Sequence, residues 1–196
     1  MTVLAILISG TGSNMEALMD RMDSGELDAR TAFVGADTPA ASGLNRAKIR
    51  GVPTHVLSYE KGRHKAEERL EELWKAHDLN WLVLAGFMKV LSPKFVSRHR
   101  GRIVNIHPAL LPSFPGAHGI DDAWNAGVTV TGVTVHLVDA MVDHGPIVAQ
   151  LPVRVRPQDN RTSLEKRIHR AEHRLYWRAL RGLFSGGLAP RKDESA

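Results

Sequence analysis

Val3-Leu4-Ala5-Ile6-Leu7-Ile8-Ser9-Gly10-Thr11-Gly12-Ser13-Asn14 is the stretch that decides the fold. Six consecutive apolar residues without polar alternation describe a strand buried on both faces, as a central strand of a parallel sheet is. The run breaks into a glycine loop, and Met15, Leu18, Met19 and Met22 then recur at helical spacing. Strand, glycine loop and helix in that order form either a backbone cradle for phosphate or a plain strand-to-helix turn. Two fingerprints are excluded: the third glycine of a dinucleotide loop would fall on Met15, and the P-loop lysine is missing.

The alternation continues downstream. Strands are predicted at 31–36, 54–57, 81–86 and 103–106, with helices at 42–50, stopped by Gly51, and at 61–77, where Leu70, Leu73 and Trp74 share one side. This rhythm predicts an α/β fold with a doubly wound, mostly parallel sheet, whose ligands bind beyond the carboxyl ends of its strands. After Gly116 the pattern changes to a short helix at 121–125 and two alternating runs, 131–137 and 147–155, which predict an antiparallel extension of the sheet. A last helix, opened by a Thr162-x-x-Glu165 capping box, carries Leu164, Ile168, Ala171 and Leu175 and fades through Gly186-Gly187 into a polar tail. No repeat or linker divides the chain, so one domain over 1–196 is expected.

The chemistry gathers at Asn105-Ile106-His107-Pro108, on the end of the fifth strand. Residues two apart point the same way in a strand, so Asn105 and His107 project together while Ile106 turns inward. An amide N–H and an imidazolium N–H aimed at one point suit an oxyanion developing on a carbonyl or formyl carbon, hence acyl transfer. The alternative is a turn cap beside a hydrogen-bonded core histidine. Between the two alternating runs, 138–146 is a loop long enough to hold an acid, Asp143, over such a site, or to use it as a turn former before His144-Gly145-Pro146.

Composition narrows the choice. At 43% hydrophobic content over 196 residues a sizeable core is available, and the absence of cysteine excludes disulfides, thiolate metal sites and a cysteine nucleophile. His169 and His173 have helical metal spacing but lie in a basic stretch, so no metal is expected. The net charge of +5, concentrated between Arg154 and Arg181 in a chain of only 6% aromatics, reads as a solvated face that steers small anions, not as a nucleic-acid surface. Met1 to Ile8 lacks a basic start and meets glycine too early for a signal peptide or membrane span, which points to the cytoplasm.

Taken together, Ser9-Gly10-x-Gly12-Ser13-Asn14, Leu84-Ala85-Gly86-Phe87-Met88, Asn105-Ile106-His107-Pro108-x-Leu110-Leu111-Pro112-x-Phe114-Pro115-Gly116 and Asp143-x-Gly145-Pro146 resemble the phosphoribosylglycinamide formyltransferases, the folate-dependent transformylases of purine synthesis. The motifs follow the family's order over nearly the whole chain, although Asn-x-His alone is common to all 10-formyltetrahydrofolate formyltransferases and the related deformylase. The resemblance implies formyl transfer from 10-formyltetrahydrofolate to glycinamide ribonucleotide, with Asn105 and His107 on the oxyanion and Asp143 paired with His107. It implies Thr11, Gly12, Ser13 and Asn14 at the substrate phosphate and Glu172 at the ribose. Arg63, Met88, Lys89, Val90 and Leu91, with Asn105 and the loop Val138, Asp139, Ala140, Met141, Val142 and Asp143, fall on the folate side. On this resemblance 1–100 is the nucleotide and phosphate half, 101–185 the catalytic and folate half, and 186–196 a polar tail.

Three departures stand out. His169 occupies a position where the family often has lysine or glutamine near the phosphate, with Arg170 adjacent; Ala36-Asp37 replaces Ser-Asn; and Lys89 replaces an arginine, losing its planar two-point contact with carboxylates. The alternatives are a formyltetrahydrofolate deformylase, which usually has an extra N-terminal domain, and a methionyl-tRNA formyltransferase, which has an extra C-terminal one. A monomer or homodimer acting on small molecules is expected.

Overall fold

The computed structural model describes residues 1–188. Thirteen elements follow in the order β1 (Thr2–Ile8), α1 (Ser13–Asp23), β2 (Ala29–Ala36), α2 (Ser42–Ile49), β3 (Thr54–Val56), α3 (Arg63–Ala76), β4 (Trp81–Leu84), α4 (Pro93–Arg98), β5 (Ile103–His107), α5 (Gly119–Asn125), β6 (Val130–Leu137), β7 (Ile147–Arg154) and α6 (Arg161–Phe184). The strands form one sheet ordered β3-β2-β1-β4-β5-β6-β7. The chain clusters into two compact units, 1–104 and 105 onward.

In the N-terminal unit β1 pairs in parallel with both β2 and β4, and Leu4 to Ile8 are wholly buried. This is the environment the unbroken apolar run requires. The neighbours of β1 are β2 on one side and β4 on the other, so the order of the strands reverses there, and open α/β sheets bind ligands at such a reversal. Ile8 faces Ala36 and Leu7 faces Leu84, which brings the segments that follow these strands to one edge. On α3, Ala66, Glu67, Leu70, Leu73 and Trp74 form the buried stripe. In the C-terminal unit β6 and β7 run antiparallel, as their alternation predicts, and α6 packs on both.

Several boundaries differ from the sequence reading. The last helix starts one residue before Thr162 and its cap is Asn160, whose side chain accepts from Ser163 N while Ser163 Oγ accepts from Asn160 N, so the Thr162/Glu165 box is not used. Arg161 instead uses its guanidinium on Glu165 and Asp121. The strand expected to reach residue 86 ends at Leu84, and Gly86 takes φ +77°, a turn that ends pairing. Helix α4 is an addition: Ser92 caps it through Phe95 N and Pro93 occupies the first turn, a start signal that six residues of helix made easy to miss. Of the tail expected at 186–196, residues from 189 lie outside the described residues.

Gly12 caps α1 with φ +75° and supplies no capping side chain. It lies against Gly43 of α2, whose N–H donates to Gly10 O at 3.1 Å. A Cβ at Gly43 would come within 2.4 Å of Ile8 Cδ1 and 3.0 Å of Thr11 O. Gly43→Ala is therefore expected to lower stability by about 1–3 kcal/mol through overpacking. Thermal unfolding measures it, and an unchanged Tm would show that α2 does not bear on the glycine loop.

Candidate active site

Asn105, His107 and Asp143 do come together, in the C-terminal unit, with a fourth residue, His136, among them. Two-residue parity on β5 sends Asn105 and His107 to the same carboxylate: Asn105 Nδ2 donates to Asp143 Oδ1 at 3.3 Å, and His107 Nδ1 lies 3.3 Å from Asp143 Oδ2. The other ring nitrogen of His107 donates to Phe114 O at 2.7 Å. A Cβ at position 119 would sit 2.9 Å from His107 Nε2, so Gly119 is what lets α5 close over the ring. His136 comes from β6; its Nδ1 donates to Leu137 O at 2.9 Å, which leaves Nε2 to accept from Asn105 Nδ2 at 3.1 Å. Both imidazoles are buried.

Asp143 is held in the left-handed region at φ +51°, where its side chain, one-tenth exposed, also accepts from Gly116 N at 2.8 Å. Burial pushes its carboxyl up, but the neighbouring His136 imidazole, the Gly116 N–H and the His107 imidazole more than offset this, and it ionises below the usual carboxylate range. The loop that carries it is closed by Leu137 N on Pro146 O and folded by Asp139, which accepts from Met141 N and meets His144 Nδ1 at 2.8 Å. Asp139 thus has a structural task, while Ala140, Met141 and Val142 face solvent. On the opposite approach, Thr134 Oγ1 donates to Ala109 O and accepts from Leu111 N, and Gln150 Nε2 donates to Leu111 O, which pins the proline-rich loop that carries Phe114 and Gly116.

Sequence reasoning missed His136, Thr134 and Gln150. The available signal was that 134 and 136 share a face of β6 and are polar in a strand otherwise apolar enough to be core. Glu172 is 4% exposed on α6 and is bound by His169 Nδ1 at 2.8 Å. That hydrogen bond, opposed by desolvation and aided by the charges of Glu172 and Glu165, raises the His169 pKa. Arg170, next to it, is exposed.

The N-terminal unit holds the other expected residues. Thr11 is exposed, while Gly12 and Asn14 are buried at the start of α1, whose first N–H groups are closed by no capping side chain from Gly12. Met88 and Val90 are exposed and Leu91 is buried. Lys89 is engaged: its Nζ lies 3.7 Å from Asp37 Oδ2 and 5.8 Å from the Tyr59 ring centre. Arg63 is the exposed first residue of α3. Among the described residues no group of three or more His, Cys, Asp or Glu side chains could hold a metal ion, and no helix is long and apolar enough to cross a membrane.

Residues 2–180 match the model of the family described as formyl transferase, which sets the class. The phosphoribosylglycinamide formyltransferase of Bacillus subtilis (strain 168) is 36% identical over 178 residues, covering 90% of this chain and 91% of that one. The crystal structure of phosphoribosylglycinamide formyltransferase from Bacillus Halodurans superposes with a TM-score of 0.91 at 38% identity, covering 94% and 96%. The trifunctional purine biosynthetic protein adenosine-3 of Drosophila melanogaster is 44% identical over 187 residues, which is 93% of this chain but only 14% of that longer protein. The chain belongs to the phosphoribosylglycinamide formyltransferase family.

Asp143 generates a pH expectation. A carboxylate with a depressed folded pKa contributes stability that is complete above its unfolded value of about 3.9 and is lost as pH falls through the lower folded value. Followed by NMR, the Asp143 carboxyl is expected to titrate below that value, and Asp143→Asn to flatten part of the acid limb of the stability curve. Titration near neutrality would show that the carboxylate is not held as an anion.

Proposed function

We propose that this chain transfers the formyl group of 10-formyltetrahydrofolate to the primary amine of glycinamide ribonucleotide, a step of purine synthesis carried out on small molecules in the cytoplasm, by a monomer or homodimer without metal or nucleic acid. The observation that carries the reading is the ring of donors around one buried anion: Asn105 and His107, oriented by Asp143, with His136 behind Asn105.

The amine nitrogen forms a bond to the formyl carbon and the formyl oxygen becomes an oxyanion. Asn105 Nδ2 has two N–H groups, one on Asp143 and one on the neutral nitrogen of His136. A charged oxygen is the stronger acceptor and takes over the second of these, and at His107 Nε2 it replaces the neutral carbonyl of Phe114. The tetrahedral intermediate then breaks its bond to the folate nitrogen, and the proton given up by the amine ends on that nitrogen. Asp143, an anion throughout, keeps His107 a donor and accepts from Asn105. The loop Thr11-Gly12-Ser13-Asn14 takes the substrate phosphate with Glu172 at the ribose. Arg63, Met88, Lys89, Val90, Leu91 and the loop Val138 to Asp143 are assigned to folate, where Lys89 must give up Asp37 to meet a carboxylate.

The test is release of tetrahydrofolate with and without glycinamide ribonucleotide; release only with the amine supports transfer, and release without it makes the enzyme a hydrolase. His107→Ala and Asp143→Asn are each expected to lower turnover by about a hundred- to a thousandfold, the loss typical of an oxyanion donor, with little change in substrate affinity. The two losses should be strongly non-additive, because both act on one imidazole. Losses that multiply would refute the shared role.

A second expectation concerns the phosphate loop. Ser13→Asp places a negative charge on the first residue of α1, where it suits the helix dipole and so preserves stability but opposes an incoming phosphate. The nucleotide KM should rise by about tenfold or more while the folate KM holds; a parallel change in both would remove the loop from phosphate recognition.

A further inference from the structure

We infer that Ser9 and Glu67 are positioning residues that fix the segment 87–92 as a preformed rim for a flat, heteroaromatic ligand, which on the reading above is the pterin part of the folate. The two residues act from opposite ends. At the start of the segment, Ser9 Oγ accepts from Met88 N at 2.8 Å, while Ser9 N donates to Gly86 O at 3.0 Å. At its end, Glu67, 8% exposed on α3, receives both Ser92 donors, the backbone N–H at 2.6 Å and the hydroxyl at 2.5 Å. Ser92 Oγ is in turn the cap that accepts from Phe95 N.

What lies between these points has the properties of a binding rim and not of core. Phe87 and Leu91 are buried, whereas Met88 and Val90, either side of the exposed Lys89, are 62% and 54% exposed, so the segment is anchored at both ends and turns apolar side chains outward. Among the described residues the backbone N–H groups of Lys89, Val90 and Leu91 meet no protein acceptor. A fixed row of outward apolar side chains beside free peptide groups matches a ring system with an apolar face and a hydrogen-bonding edge. The rim follows β4 and is tied to the residue that follows β1, at the reversal of strand order. Burying a carboxylate is costly unless it is fully hydrogen-bonded, and fixing a backbone before the ligand arrives reduces the ordering cost of binding. Glu67 meets the first condition through Ser92, and the consequence is the second.

Ser9→Ala removes one acceptor without touching the exposed residues. Glu67→Ala removes both, whereas Glu67→Gln keeps an acceptor for Ser92 N and can donate to its hydroxyl. Binding of 10-formyltetrahydrofolate and of glycinamide ribonucleotide is measured by calorimetry for each, with amide hydrogen exchange of residues 86–92 and thermal unfolding alongside. Ser9→Ala should weaken folate binding about three- to tenfold, the range one lost hydrogen bond gives. It should speed exchange at Met88 and leave nucleotide binding within about twofold. Ser9→Thr and Glu67→Gln should restore most of the folate affinity. Equal losses for both ligands, or unchanged folate binding with faster exchange, overturn the assignment; Ser9→Ala decides the matter if Glu67→Ala does not fold. A wild-type protein that binds no folate would instead refute the proposed activity itself.

Discussion

A carboxylate taken out of water must be surrounded by donors, and in the C-terminal unit that requirement at Asp143 dictates where everything near it goes. The amide of Asn105 and the ring of His107 arrive from β5 and the peptide N–H of Gly116 from the proline-rich loop, while His136 from β6 accepts from Asn105 and so aims its amide. Thr134 and Gln150 matter because they hold that loop at the right height, and Gly119 because a side chain there would collide with the His107 ring. In the proposed reaction, donors gathered to satisfy this fixed anion would already be aligned when a second negative charge forms beside it.

Parity and periodicity made part of this legible in the sequence. Six apolar residues in a row could only be a doubly covered strand, and β1 is that strand; the separation of two between Asn105 and His107 put them on one face, and both reach Asp143. His136 was hidden because a histidine inside an alternating apolar strand carries no local mark of its partner, and its role depends on β6 presenting it to Asn105, a contact across 31 positions. Ser9 and Glu67 were hidden for a similar reason: one reads as part of a glycine loop and the other as an ordinary acid on a charged helix, until Met88 and Ser92 are seen beside them. The cap of α6 was misplaced because Thr162 and Glu165 satisfy the pattern equally well, and only Arg161's engagement of Glu165 takes that side chain away from the helix start.

The two units show different ways of preparing a site. Around Asp143 the groups are polar, largely buried and mutually satisfied, so their positions are set by hydrogen bonds that, in the proposed reaction, would exchange partners when charge appears. Along 87–92 the exposed groups are apolar or unpaired peptide, and order is imposed from the two ends by Ser9 and Glu67. The first arrangement suits a reacting centre, where donors must respond to a transient oxyanion. The second suits a surface that should not move at all.

The contact of Gly12 with Gly43 has a consequence for how such a chain can drift over evolutionary time. Position 12 favours glycine through its left-handed backbone and the approach of Met15 Cε and Gly43 Cα to 3.1 and 3.2 Å of any Cβ, and position 43 through the neighbouring Ile8 side chain and loop carbonyls, although it faces no proposed ligand. Selection at position 43 would therefore be inherited from the loop's backbone path and not from any chemistry of its own. Lineages that change their substrate while keeping this loop would still carry both glycines, whereas a lineage that rebuilt the loop would be free to lose the second one at a position where the reaction itself exerts no pull.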